Sequence, residues 1–120
     1  MKSYTDLEQS KKLSEILPLE STDMYYAGHQ SIINPKEWEY GDTPKIRGKY
    51  ISFDDKRIFY PCWSLSALMD VLDRGALFKT PQGWACQSYL DLKAITSDHH
   101  NNPIDACYEM IVKFNEMNLS

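Results

Sequence analysis

The segment from Asn102 to Met117 carries the pattern that most restricts the fold of this chain. Its apolar side chains recur three and four residues apart, which places them on one stripe of a helix. The stripe consists of Ile104, Cys107, Met110, Ile111, Phe114 and Met117. Asn102 followed by Pro103 is typical of a helix start, because asparagine caps the first turn and proline fits it. A helix with one apolar face needs an apolar surface to pack on, so the rest of the chain has to supply one.

Two β-hairpins are predicted to form that surface. The β-rich runs 49–53 and 57–60 flank Asp54-Asp55-Lys56, and this arrangement favours a hairpin that ends at Pro61. The run 77–79 and the run 84–90 flank Thr80-Pro81-Gln82-Gly83, which is typical of a tight turn. Strands joined by short turns pair antiparallel, so we expect an antiparallel sheet.

Two further helices are predicted from their caps and apolar spacing. Thr5 and Glu8 form a capping-box pattern ahead of a helix that stops before Pro18. Ser64 is a typical cap for a second helix, whose apolar residues are Leu65, Leu68, Met69 and Leu72. Between them, residues 19–45 are broken by glycine and proline, although Met24–Tyr26 and Trp38–Tyr40 have the composition of short strands.

The expected fold is therefore α+β, with an antiparallel sheet built from hairpins and about three helices packed on one face. The length of 120 residues corresponds to one domain of ordinary size. Glycine and proline occur singly, without a linker-like stretch, so we expect a single α+β domain over residues 1–120. This architecture hosts many functions and implies none by itself.

Composition and motifs exclude or disfavour several function classes. The net charge of −4 is spread over both halves of the sequence, which disfavours a general DNA-binding protein. No apolar run is long enough to span a bilayer and the first ten residues are polar, so we expect a cytoplasmic protein. The three cysteines form no CxxC pair, which fits neither a disulfide framework nor a zinc knuckle. Phosphate-binding, zinc-protease, nucleophile-elbow and dinucleotide motifs are lacking, so we expect no catalytic residue and no cofactor.

Three segments resemble a known group of proteins. They read YTDLEQSKKLSEILPLESTDM, PCWSLSALMDVL and NNPIDACYEMIVKFNEMNL, and together they make up under half of the chain. These segments, and their order, are similar to those of short uncharacterised bacterial proteins found near prophage or other mobile-element genes. The resemblance implies a bacterial accessory protein and transfers no catalytic residue.

Exposed aromatic residues are the first candidate for a functional site. Aromatic side chains without a clear core-facing period occur at Tyr25, Tyr26, Trp38, Tyr40 and Tyr89. Exposed aromatic residues are typical anchors of protein interfaces, although a small core also uses large residues to fill itself. We therefore predict a non-enzymatic protein-interaction module that binds an unknown protein partner through Trp38 and Tyr40.

A basic strand is the alternative, and it indicates another class of function. In a strand, Lys45, Arg47 and Lys49 would share one face, where they could meet a phosphate chain while Tyr50 or Trp38 stacks on bases. The same lysines could instead protect an exposed strand edge from pairing with other chains. The alternative function is an accessory nucleic-acid-binding protein.

Two further possibilities concern metal binding and assembly. Asp98-His99-His100 contains residue types that bind zinc or iron, but only His29 remains to complete a set of three histidines. A small metal-dependent enzyme is thus the least favoured hypothesis, and we expect no metal site. The apolar stripe of the last helix can exceed what the sheet covers, in which case a homodimer would bury it.

Overall fold

The structure is a computed structural model that describes residues 2–49, 51–72, 74–90 and 92–119. The chain divides into two compact units. One unit comprises Asp6–Trp63, and the other comprises Met1–Thr5 together with Ser64–Ser120. The expected single domain stays a prediction, and each unit is described by itself.

The unit Asp6–Trp63 contains one helix and a four-stranded sheet. Its elements are α1 (Leu7–Ile16), a 3-10 turn (Leu19–Ser21), β1 (Met24–Gln30), β2 (Trp38–Tyr40), β3 (Lys45–Ile46) and β4 (Phe59–Cys62). β1 pairs antiparallel with all three other strands. β3 and β4 both pair with the first half of β1, and β2 pairs with its second half. Residues 24–26 and 38–40, whose composition is strand-like, therefore do lie in strands, a point that the sequence left open for residues 19–45.

The start of α1 differs from the expected one by one residue. The helix is capped by Asp6, whose Oδ1 accepts from the Gln9 amide at 2.8 Å, while Gln9 Oε1 accepts from the Asp6 amide at 3.1 Å. The predicted box of Thr5 and Glu8 is wrong. Aspartate and glutamine at the same spacing make the same reciprocal pair one position later, and Thr5 is buried.

The first predicted hairpin is also wrong. The described residues of the run 49–53 form no strand, and Phe53 is buried beneath the Arg47 guanidinium, which lies 4.8 Å from its ring centroid. Only Phe59 and Tyr60 of the second run lie in a strand, β4, which pairs with the distant β1 and contains Pro61 rather than ending before it. Non-local pairing with β1 replaces the local turn because β1 supplies a full strand to pair with.

The second unit contains two helices and a three-stranded sheet. Its elements are α2 (Leu65–Val71), β5 (Ala76–Thr80), β6 (Gly83–Leu90), β7 (Lys93–Thr96) and α3 (Pro103–Leu119). The antiparallel order is β5-β6-β7, and Thr80 pairs with Gly83 across the predicted turn, so the second hairpin is confirmed. The predicted cap of α2 is confirmed, because Ser64 Oγ accepts a hydrogen bond from the Ala67 amide at 3.2 Å.

Helix α3 packs against β6 and α2 through the predicted stripe. Ile104, Cys107, Met110 and Ile111 are all buried. The stripe is thus covered at these positions without a second copy of the chain, and Met117 near its end remains exposed. The surface on which the homodimer was expected is smaller than the sequence suggested.

The α+β class is confirmed, with three helices and exclusively antiparallel pairing among the described strands. The strands are divided between two sheets rather than joined in one. Within the described ranges, no helix combines the length and apolar character needed to cross a membrane.

Candidate functional site

Strand β2 lies at the outer edge of the four-stranded sheet and contains both predicted partner-binding residues. Among the described residues it pairs with β1 alone, in the register Gly28↔Tyr40, His29↔Glu39 and Gln30↔Trp38. Two main-chain bonds frame this pairing. The Ser31 amide donates to the Glu37 carbonyl at 2.9 Å, and the Gly41 amide donates to the Ala27 carbonyl at 3.1 Å.

These two bonds determine which main-chain groups of β2 face outward. In an antiparallel pair, hydrogen-bonded residue pairs alternate with non-bonded ones. His29 and Glu39 lie midway between the two framing bonds, so they form the bonded pair. The N–H and C=O groups of Trp38 and Tyr40 therefore face the outer edge, where no partner for them occurs among the described residues.

The side chains of Trp38 and Tyr40 are half-buried rather than free. The Arg57 guanidinium lies 5.6 Å from the Trp38 ring centroid. The Tyr40 hydroxyl donates to the Lys56 carbonyl at 2.7 Å, and its ring packs edge-on against Tyr60. Burial, with smaller effects of Tyr60 and Asp55, raises the pKa of Tyr40. Both aromatic rings thus hold β2 against the segment Asp55–Ile58.

That segment owes its shape to Asp55. Its carboxylate accepts from the Arg57 amide and Nε, both at 3.0 Å, and from Nη2 at 2.9 Å. The side-chain hydrogen bonds from Arg57 lower the pKa of the Asp55 carboxyl. The Ile58 carbonyl then accepts from the Gly28 amide at 2.7 Å, which brings the segment onto the sheet.

The opposite face of β2 is acidic and exposed. Glu39 Oε2 lies 3.5 Å from His29 Nε2, and both side chains are more than half exposed. Glu37 precedes β2 and Asp42 follows it, and both are exposed. Residues 36–42 contain one lysine and three carboxylates, a net charge of −2.

The loop between β1 and β2 presents two isoleucines to solvent. Ile32 and Ile33 are 97% and 95% exposed. The loop is nevertheless held by side chains, since Ser31 Oγ accepts from the Asn34 amide at 3.3 Å and Asn34 Oδ1 accepts from the Lys36 amide at 3.2 Å. These bonds favour one loop shape that keeps the isoleucines outward.

The three predicted basic residues, Lys45, Arg47 and Lys49, do not lie together along one strand. β3 ends at Ile46, so the alternation that would align Lys45, Arg47 and Lys49 does not extend along a strand. Arg47 Nη1 donates to the Leu19 carbonyl at 2.9 Å and to Thr22 Oγ1 at 2.8 Å, which binds it to its own unit. Lys45 and Lys49 are exposed, and Tyr50 lies outside the described residues.

The histidines singled out in the sequence do not converge. His99 is exposed, whereas His100 Nε2 lies 2.7 Å from Glu109 Oε1. Glu109 also accepts from Lys113 Nζ at 2.7 Å and from the Asp98 amide. Among the described residues, no three metal-binding side chains form a group.

The cysteines lie in the interior. Cys62, Cys86 and Cys107 are free and buried. Hydrogen bonding to Cys86, together with burial, raises the pKa of the Cys107 thiol, and the thiol lies 3.5 Å from Met69 Sδ. A neutral buried thiol is a poor nucleophile.

Sequence reasoning missed Glu39 and the segment Asp55–Ile58 as parts of this site. The alternation Glu37-Trp38-Glu39-Tyr40 did carry a signal, because it separates carboxylates from aromatic rings on the two faces of a strand. The position of Asp55–Ile58 depends on β4 pairing with β1, which no local pattern specifies.

No protein-family model, curated protein or solved structure matches the chain.

Proposed function

We propose that this chain is a non-enzymatic protein-interaction module that binds an extended segment of a partner protein as an added strand beside β2. The observation that carries the proposal is the outward orientation of the N–H and C=O groups of Trp38 and Tyr40. Unpaired main-chain groups at a sheet edge are a template for another strand, and several peptide-binding domains use them in this way.

The composition of β2 supports this use. Proteins protect exposed edges by keeping them short and by placing charged residues, lysine above all, or proline on them. β2 is short and has one charged residue, Glu39, but lysine and proline occur only beside it, with Pro35 and Lys36 in the preceding loop and Pro44 and Lys45 after the strand. The edge is therefore protected at its ends, while its centre remains available.

The support beneath β2 also favours binding. Tyr40 and Trp38 are held by Lys56 and Arg57, so the strand is ordered before a partner arrives. An edge that is already ordered loses less conformational entropy on association. In this proposal Trp38 and Tyr40 bind through their main-chain groups, and their rings position the strand.

The proposal includes the cytoplasmic location and the bacterial, mobile-element context expected from the sequence. The alternative of nucleic-acid binding stays a prediction without an observation in its favour, because Arg47 is bound to Leu19 and Thr22.

The test compares proline with alanine at position 38. Trp38→Pro removes the outward N–H but leaves the bonded pair His29 and Glu39 untouched, whereas Trp38→Ala removes the ring and keeps the N–H. The probe is a displayed library of random peptides of about six residues, the usual length of a strand. Thermal melting checks that both variants fold.

We expect selected peptides to protect the amides of Trp38 and Tyr40 from hydrogen exchange, and to bind Trp38→Ala but not Trp38→Pro. Enrichment no better than on the bare matrix would overturn the proposal. Equal binding to a folded Trp38→Pro variant would overturn it as well.

A further inference from the structure

The charges around β2 indicate the chemistry of the segment it binds, and this inference rests on the proposed strand addition. Glu37, Glu39 and Asp42 are exposed along one short stretch, with Lys36 as the only cation between positions 36 and 42. A segment that approaches the Glu39 face of β2 therefore meets exposed carboxylates, whereas the cations Lys56 and Arg57 lie against the rings of the opposite face.

Glu39 is placed to contact one side chain of that segment. It lies at the centre of β2, directly opposite His29, and its side chain remains 57% exposed. Side chains directly opposite each other on neighbouring strands lie within contact distance on the same face of the sheet. A residue added beside Glu39 would thus flank this carboxylate on the side away from His29.

The other face of β2 favours a different kind of side chain in the added strand. Trp38 and Tyr40 alternate with Glu39 and present half-buried rings toward the face that Asp55–Ile58 covers. Side chains added beside these rings pack best when they are β-branched or aromatic. The two faces together require an alternating pattern.

We infer that the partner is a protein segment in which lysine or arginine alternates with β-branched residues, and that it binds with a basic residue beside Glu39. Opposite charges placed across neighbouring strands attract, whereas like charges in that position repel. Acidic segments are therefore selected against, and so are phosphate chains.

Two soluble probes test this inference. One is a peptide of alternating threonine and lysine, and the other is a peptide of alternating threonine and glutamate, each of about six residues. Binding is followed by fluorescence anisotropy of labelled peptides, and by hydrogen exchange at the amides of Trp38 and Tyr40. The variants are Glu39→Gln and Glu39→Lys. Glu15→Lys, at an exposed position of α1, serves as the matched charge control.

We expect the lysine peptide to bind more tightly than the glutamate peptide, by a margin that shrinks as salt is added. Glu39→Gln should weaken binding of the lysine peptide about two- to fivefold. Glu39→Lys should make the glutamate peptide the tighter binder. Glu15→Lys should still bind the lysine peptide more tightly, as the unmodified protein does.

Three outcomes would overturn this inference and leave the proposed function standing. Equal binding of both peptides with protected amides at Trp38 and Tyr40, or an unchanged preference in Glu39→Lys, would overturn the inference and leave strand addition standing. If neither peptide protects these amides while library-selected peptides do, the basic partner is again excluded. If no peptide of any composition protects them, both proposals are wrong.

Discussion

At Gly28 the sheet and the segment Asp55–Ile58 lie close together. A Cβ atom at this position would lie 1.7 Å from the Arg57 carbonyl oxygen and 3.1 Å from the Tyr40 ring. The Arg57 carbonyl belongs to main chain that is fixed on the sheet, because the next residue, Ile58, accepts a hydrogen bond from the Gly28 amide. The segment Asp55–Ile58 can therefore lie against the sheet behind Trp38 and Tyr40 because residue 28 has no side chain.

We expect Gly28→Ala to lower the free energy of unfolding by about 1–3 kcal/mol, the usual cost of overpacking. Urea denaturation measures the change. Gly41→Ala is the matched control, because a Cβ there meets no atom within 4 Å. Equal urea midpoints for the two variants would show that Asp55–Ile58 does not lie against Gly28 in solution.

Glu109 has three polar partners among the described residues, Lys113, His100 and the Asp98 amide. Burial raises the pKa of its carboxyl, but hydrogen bonds from Lys113, His100 and the Asp98 amide outweigh burial and hold the pKa below its ordinary value. A carboxyl with a lowered pKa in the folded state stabilises the fold above its unfolded pKa of about 4.3. That contribution disappears as the pH falls through the lower, folded pKa.

Glu109→Gln should consequently reduce the loss of stability between pH 7 and pH 3. The measurement is the free energy of unfolding at several pH values across this interval. Glu116→Gln, on the exposed side of α3 and without an ionic partner among the described residues, is the control and should retain the loss. A Glu109→Gln profile parallel to that of the unmodified protein would contradict the assignment.

At the scale of elements, α3 depends on its first turn as well as on its apolar stripe. Asn102 Oδ1 accepts from the Asp105 amide at 2.9 Å, and Asn102 Nδ2 donates to Asp105 Oδ2 at the same distance. This is the cap that the Asn-Pro sequence predicts. The neighbouring Asn101 is exposed and makes no such bond.

Replacing the capping side chain should destabilise the helix start. We expect Asn102→Ala to lower the unfolding free energy by about 1 kcal/mol. Asn101→Ala should change it by less than about 0.5 kcal/mol, as surface substitutions usually do. Thermal melting of the pair measures the difference, and an equal effect of both substitutions would mean that the cap is not formed.

At the scale of the whole molecule, the question is whether the chain associates with itself. The stripe of α3 is buried at Ile104, Cys107, Met110 and Ile111, so these four positions offer no surface to a second copy, and the homodimer expected from the sequence stays a prediction. From this burial we expect light scattering to give instead the mass of one chain throughout a micromolar dilution series. A persistent mass of two chains would contradict this expectation, and Trp38→Pro would then show whether the β2 edges pair with each other.

The sequence by itself determined the elements whose signals are local. The stripe and cap of α3, the Ser64 cap of α2 and the turn at Thr80–Gly83 all depend on residues within a few positions of one another. Their side chains and main chain meet in any fold that contains the element. The α+β class follows from these elements. The composition of Trp38–Tyr40 favours a short strand, but the sequence leaves residues 19–45 open between strands and irregular structure.

The tertiary structure alone decided how distant strands pair. The run 57–60 looks like half of a hairpin, yet it joins β1, because long-range pairing depends on which surfaces meet rather than on local propensity. That pairing brings Asp55–Ile58 behind Trp38 and Tyr40. The tertiary structure also places Arg47 against Leu19, and among the described residues no strand pairs with the outer edge of β2. The alternation of Glu37, Trp38, Glu39 and Tyr40 was present in the sequence, but which face is covered and which main-chain groups point outward depend on the register with β1.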